Sequence, residues 1–306
     1  MTRVAAVDCG TNSIRLLVAE HTPGDAHLVD LDRRMEIVRL GQGVDATGRL
    51  APEALERTFK VARTYAEAIR EWGAERTRFV ATSATRDAAN RDEFVAGVLE
   101  IFGVEPEVIT GDEEAGLSYS GATRGLAGGV PAPYLVVDIG GGSTEFVLGE
   151  DKVLAARSVD VGCVRMLERH LRDDPPTADQ IAAASADIDA AIDRAAALVP
   201  ISDARSLVGV AGSVTTIAAI SLDLAAYDAS KVHHARIPAA RVHEVARMLL
   251  HQTRAERAAI GCLHPGRVDV IGAGALILDR ILTRLDVDSL VVSEHDILDG
   301  IAWSIV

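Results

Sequence analysis

Residues 4–20 read VAAVDCGTNSIRLLVAE, and 130 positions later residues 134–150 read YLVVDIGGGSTEFVLGE. Val7, Asp8, Gly10, Ser13 and Glu20 fall on Val137, Asp138, Gly140, Ser143 and Glu150. Each copy is an apolar run, a D-x-G-x-x-S turn and a second apolar run with partial polar alternation, which is the pattern of strand, turn and strand. A single D-x-G turn is an ordinary hairpin tip, whereas its recurrence implies two like halves. Glycine at 10 and at 140–142 lets a ligand approach the main chain closely. Successive N–H groups in such a turn form a concave anion site, to which Thr11, Ser13 and Ser143 add hydroxyl donors. Asp8 and Asp138 cannot attract phosphate themselves; an aspartate beside an anion site makes sense if Mg²⁺ stands between the two. Two such turns facing each other would clamp a phosphate chain.

The remaining composition sets the frame. A chain of 306 residues holds two domains of ordinary size, and with 4% aromatic residues the cores must be built from Ala, Val, Leu and Ile. Cys9, Cys163 and Cys262 are far apart and form no C-x-x-C pair, so neither a disulfide framework nor a zinc site is expected. A reducing cytoplasm fits that usage. The chain enters a strand directly after Met1-Thr2-Arg3 and has no apolar run long enough for a membrane span, so no membrane partner is expected. A formal net charge of −14 argues against a general nucleic-acid surface, which needs clustered Lys and Arg. A polyanionic substrate would have to be drawn in locally by a few arginines and bound cations.

Outward from the first turn, strands and helices alternate. A strand is expected over 27–40, and a helix over 52–72 with Pro52 in its first turn and Gly73 past its end. A strand follows over 77–83, then a helix over 91–102, opened by Asn90 with Glu93 completing a capping-box-like pattern and closed by Gly103. Next come a strand over 105–109, a helix over 111–124 and a linker, GLAGGVPAP, over 125–133. Beyond the second turn the pattern gives a strand over 153–161, helices over 164–171 and 177–198, and a strand over 206–210. The apolar residues over 268–285 lie on several faces, as in a buried helix. The reading is an α/β protein with one unit at 1–126 and a second at 127–306.

Three further clusters bear on chemistry. ATSATRDAAN, residues 81–90, ends a strand, where open α/β sheets place ligand loops; Arg86 would grip phosphate with its planar fork, though an arginine there is also an ordinary ion-pair partner. TGDEEA, residues 110–115, opens a helix, where the dipole alone accounts for Asp112 and Glu113 and leaves Glu114 for another role. VGVAGSVTT, residues 208–216, runs from strand to helix through small residues, with N–H groups near Gly212 and Ser213 suited to phosphate. His233, His234, His243, His251 and His264 are too scattered for a metal site.

Taken in order, VDCGTNSIRLLV, ATSATRDAANRDEF, ITGDEEAGLS, VVDIGGGSTEFVLG, VGVAGSVTTIAAI, RVDVIGAGALIL and SEHDILDGI resemble the exopolyphosphatase and guanosine-pentaphosphate phosphohydrolase family, within the acetate kinase/sugar kinase/Hsp70/actin superfamily. The resemblance spans nearly the whole chain. It implies two duplicated actin-like (ribonuclease H-like) α/β domains around an interdomain cleft, and the architecture permits the final helix, 297–306, to cross back onto the first domain. Glu114 matches the general base that activates water. Asp138 and Glu145 fall on the acidic positions that hold Mg²⁺, with Mn²⁺ as a second candidate, and orient water. Thr11, Asn12, Ser13 and Arg15 of the first loop, and Gly140, Gly141, Gly142 and Ser143 of the second, would cradle phosphate. Arg86 matches the substrate arginine. The family's arginine after E-E-A is Gly116 here, which puts a peripheral phosphate contact in doubt, and its G-T-x-T threonine is Ser213, which keeps the hydroxyl.

The implied reaction is hydrolysis of a terminal phosphoanhydride, on inorganic polyphosphate or on guanosine pentaphosphate. Longer relatives carry extra carboxy-terminal helical domains; a chain stopping at Val306 is expected to prefer short polyphosphates. A homodimer is common in the family. A sugar-kinase reading lacks a glycan-binding constellation, and a pure polyphosphate sensor has no need of Glu114 and Glu145 together.

Overall fold

The computed structural model describes residues 1–126 and 129–306, so residues 127–128 of the expected linker, where the second unit was expected to begin, lie outside the described residues. Two compact units emerge, residues 1–121 with 297–306 and residues 122–296. In the first, β1 (Thr2–Cys9), β2 (Ser13–His21), β3 (Val29–Ile37), β4 (Arg76–Ala81) and β5 (Glu107–Val108) form one sheet in the order β3-β2-β1-β4-β5. In the second, β6 (Tyr134–Ile139), β7 (Thr144–Gly149), β8 (Val153–Val159), β9 (Ser206–Val210), β10 (Arg236–Pro238) and β11 (Ser289–Val292) form a sheet ordered β10-β11-β9-β6-β7-β8. Apart from the added edge strand β10, the sheets have one topology: an antiparallel meander followed by two parallel strands on its inner flank. The duplication read from the two hairpins therefore extends to whole sheets.

Both faces of the first sheet are buried, which is why β1 reads as a nearly continuous apolar run. Ala5, Val7 and Cys9 point to a core closed by Leu55, Ala62 and Tyr65 of the helix Pro52–Trp72 and by Phe94 and Val98 of the helix Arg91–Phe102. Val4 and Ala6 point the other way, with Leu17 and Ala19, onto Ile297, Leu298, Ile301 and Ala302 of the helix Ile297–Trp303. That apolar contact is what assigns the last residues to the first unit. The sequence reading bounds the units at 126/127 and, from the resemblance, permits 297–306 to cross back onto the first domain, although a helix's partner face is not written in its own periodicity.

In the second unit one core joins the sheet to the helices Ala178–Ala196, Ala211–Ser221, Ala239–His251 and Ile271–Leu285. The alanine-rich helix buries Ala184, Ile188, Ala191, Ile192 and Ala195, and its Thr177 and Gln180 form a capping box. The helix Ile271–Leu285 buries residues on every side, as expected from its pattern.

The capping expected at Asn90 is different in the structure. Asn90 makes no cap bond; its Oδ1 accepts from the Leu50 N–H at 2.8 Å and its Nδ2 donates to the Leu50 carbonyl at 3.1 Å. Glu93 faces solvent near Arg49. Asn90 is buried, so its amide is spent on a backbone that has little access to water. Asn90→Ala leaves both Leu50 groups without that partner and is expected to destabilise the fold by about 2 kcal/mol, read from denaturant unfolding.

Candidate active site

In the first unit three loops meet at the carboxyl ends of β1, β4 and β5, the edge where α/β sheets carry ligand sites. The first turn closes with the Gly10 N–H donating to the Ser13 carbonyl at 2.9 Å. The loop after β4 lies beside it: the Thr82 N–H donates to the Cys9 carbonyl at 3.2 Å, and the Thr11 and Ser83 hydroxyls are 3.3 Å apart. The third loop joins through the Ile109 N–H, which donates to the Ala81 carbonyl. From the helix Ser83–Asp87, Arg86 Nη1 donates to Glu114 Oε2 at 3.1 Å and to the Ile109 carbonyl at 3.0 Å. Glu114 is 8% exposed, in the first turn of the helix Gly111–Thr123. Arg86 and Glu114, 28 residues apart in sequence, thus become one unit. Gly116 is open, with nothing within 4 Å of the place of a Cβ, so the fold does not itself require glycine there.

The two turns share a register but differ in charge. Asp8 stands opposite Arg15 across β1 and β2, and Arg15 Nε and Nη2 both donate to Asp8 Oδ2, at 2.9 and 2.7 Å. Asp138 stands opposite Glu145 across β6 and β7. The sequence reading gave Arg15 to phosphate and Asp8 to metal; the structure spends these Arg15 donors on Asp8, which makes that turn internally neutralised. In the second copy two buried carboxylates face each other, Asp138 at 6% and Glu145 at 1% exposure, and the Ser158 hydroxyl donates to Glu145 Oε1 at 2.7 Å. Hard carboxylate oxygens of this kind suit Mg²⁺, which takes one or two of them and completes its shell with water and substrate phosphate. Among the described residues no group of three His, Cys, Asp or Glu side chains is placed to hold a metal ion. The second turn closes as the first does, with the Gly140 N–H donating to the Ser143 carbonyl at 3.0 Å.

At the third expected phosphate loop the structure adds a side chain from outside the run 208–216. β9 passes into the helix Ala211–Ser221 through Ala211 in the left-handed region, φ 70°. Ser213 is buried, with its side chain against Gly274. A guanidinium lies over Gly212: Arg267 Nη1 donates to the Gly212 carbonyl at 3.1 Å and to the Thr216 hydroxyl at 3.2 Å, and a Cβ on Gly212 would overlap it. Arg267 opens the motif RVDVIGAGALIL, but nothing local in that run assigns it to this loop. Ser158 was missed for the same reason, since only the pairing of β7 with β8 brings it to Glu145.

The other nucleophiles and imidazoles fall outside this chemistry. Cys9, Cys163 and Cys262 are buried, and burial, with the Asp8 charge adding at Cys9, holds the Cys9 and Cys163 thiols above their usual range. Thiolate attack is disfavoured accordingly. His243, His251 and His264 bond Asp279, the Arg247 carbonyl and the Gly266 N–H. His233 and His234 are closer to a third imidazole than sequence showed: their rings stack at 3.7 Å, and His295 lies 4.6 Å from His233. No helix among the described residues is long and apolar enough to cross a membrane.

The chain is 50% identical to Exopolyphosphatase 2 of Mycobacterium tuberculosis, over 100% of this chain and 99% of that protein. It is 32% identical to the guanosine-5'-triphosphate,3'-diphosphate pyrophosphatase of Vibrio atlanticus, over 99% of this chain and 59% of that longer protein. A solved structure described as an exopolyphosphatase-like protein superposes with a TM-score of 0.95 at 46% identity, covering 99% of this chain and 98% of the other. A model of the Ppx/GppA phosphatase family matches residues 17–306, and the chain belongs to that family.

Proposed function

We propose that this protein is a Mg²⁺-dependent exopolyphosphatase, which hydrolyses the terminal phosphoanhydride of inorganic polyphosphate and releases orthophosphate. The observation that carries the chemistry is Glu114: a buried carboxylate with one oxygen fixed by Arg86. In the proposed step a water oxygen bonds to the terminal phosphorus, its proton passes to the Glu114 carboxylate, and the bridging P–O bond breaks with its electron pair leaving on the shortened chain. Positioning and charge stabilisation supply most of the acceleration in such a transfer. In the first unit the N–H groups and hydroxyls of the turn, with Arg86, are suited to phosphate oxygens; in the second unit those of its turn, with Arg267 over Gly212, are suited to the same chemistry. Asp138 and Glu145 would hold Mg²⁺, which when bound offsets charge on the phosphoryl oxygens.

The 50% identity over both full lengths favours polyphosphate as substrate. Guanosine pentaphosphate, cut at its 5′ terminal phosphate, is the second reading, supported by the 32% identity to the Vibrio pyrophosphatase. A panel of short polyphosphate, very long polyphosphate, guanosine pentaphosphate and ATP, each with Mg²⁺, separates them by phosphate release. The expected order puts polyphosphate first in kcat/KM; guanosine pentaphosphate in first place reverses the substrate assignment, and no release from any of the four removes the hydrolase reading.

A further inference from the structure

The carbonyls of both phosphate turns are held from behind. In the first copy the chain leaving β3 supplies the donors: the Val38 and Arg39 N–H groups donate to the Asn12 carbonyl at 3.0 and 2.9 Å, and the Gly41 N–H to the Thr11 carbonyl at 2.8 Å. In the second copy the chain leaving β8 does the same: the Cys163 N–H donates to the Gly140 carbonyl at 3.0 Å, and the Val164 and Arg165 N–H groups to the Gly141 carbonyl at 2.9 and 3.2 Å. The Gly142 carbonyl, the counterpart of Asn12, accepts from Arg165 Nε at 2.8 Å. A side chain there does what two backbone amides do in the first copy.

Both contacts require glycine for closeness. A Cβ on Gly41 would overlap the Thr11 side chain, and one on Gly162 would overlap the Gly141 carbonyl. Neither glycine has a positive φ, so steric access and not backbone freedom selects it. The first holding segment also places Arg39 in the left-handed region, φ 51°, a conformation that costs a non-glycine residue energy.

A trans peptide fixes the consequence, because its C=O and the following N–H point in opposite directions. With the carbonyls of Gly140, Gly141 and Gly142 held on one side, the N–H groups of Gly141, Gly142 and Ser143 face the other. With those of Thr11 and Asn12 held, the N–H groups of Asn12 and Ser13 face away likewise. We infer that residues 38–41 and 162–165 are a duplicated pair of backstops that aim the amides of the two turns at phosphate, and that Arg165 is a positioning residue for the second turn. The inference rests on the proposed hydrolase reading only for its kinetic consequence. The aim of the amides stands on the hydrogen bonds.

The test uses the full chain labelled with ¹⁵N-glycine, titrated with inorganic phosphate, beside steady-state kinetics on polyphosphate. In the natural chain phosphate is expected to shift the Gly141 and Gly142 amide signals. R165M removes the donor to Gly142; those shifts are expected to shrink, and kcat to fall about 10-fold, the rate equivalent of one lost charge-assisted hydrogen bond, with thermal unfolding little changed. R165K, whose ammonium also donates to a carbonyl, is expected to recover part of both. Undiminished Gly141 and Gly142 shifts in R165M overturn the inference, even where kcat falls, since Arg165 would then act elsewhere. Should R165M fail to fold, the same signals in R165K decide: reduced Gly141 and Gly142 shifts support the backstop, and undiminished shifts overturn it. If the natural chain releases no phosphate, the hydrolase reading fails while the phosphate-induced shifts still judge the backstop.

Discussion

Glu114→Gln is expected to lower phosphate release by about 10²–10⁴, the usual contribution of a positioned general base, while polyphosphate binding persists. The substitution is close to isosteric, and its amide oxygen can still accept from Arg86 Nη1, which also keeps its bond to the Ile109 carbonyl. The loop therefore keeps its shape. What disappears is basicity: an amide cannot take the proton of the attacking water. The measurement is orthophosphate release under single-turnover conditions together with equilibrium binding of polyphosphate to the same preparation. Natural rates in the variant would remove Glu114 from the mechanism, and loss of binding along with rate would make it a structural residue of the loop.

Glu145→Gln should act differently, through the cation. The register sets Asp138 and Glu145 opposite each other on antiparallel strands, the arrangement in which like charges repel. The equivalent positions of the first unit hold Asp8 and Arg15, an ion pair. The second unit thus has two carboxylates at the positions where the first has an ion pair, and a divalent ion bound there would offset their charge. Removing one of the two charges is expected to raise the Mg²⁺ concentration for half-maximal activity at least about 10-fold, with a smaller Mg²⁺-induced rise in melting temperature, since a ligand of the folded state stabilises by RT ln(1 + [L]/Kd) and a larger Kd lowers that term. Ser158 can still hydrogen-bond the amide oxygen, so the strand pairing is preserved. An unchanged Mg²⁺ dependence in both activity and melting would place the metal elsewhere.

These two variants separate what the turns share from what distinguishes them. Both hairpin tips close with the same N–H to carbonyl bond, so duplication explains their shape. Their chemistry differs at one cross-strand partner. The difference could be read from Arg15 and Glu145 in the sequence, because hairpin register follows from a turn of fixed length. Its electrostatic meaning could not, since whether Arg15 reaches solvent, phosphate or Asp8 depends on side-chain direction. The Asn90 capping pattern failed similarly: a Leu50 backbone 40 residues away competed for the same amide.

The sequence by itself determined the duplicated α/β halves, the two D-x-G-x-x-S turns and the acidic residues around which hydrolysis is proposed. Those features are local, set by apolar periodicity, glycine spacing and fixed turn length, so each is complete within a short run of residues. Only the tertiary structure decided that Arg86 grips Glu114, that Arg267 lies over Gly212, that residues 297–306 pack on the first sheet, and that the carbonyls of both turns are held from behind. Each of these joins residues far apart along the chain, and many partners with the same polarity or hydropathy were available to each. Packing selects one among them, and no single stretch of sequence records that choice.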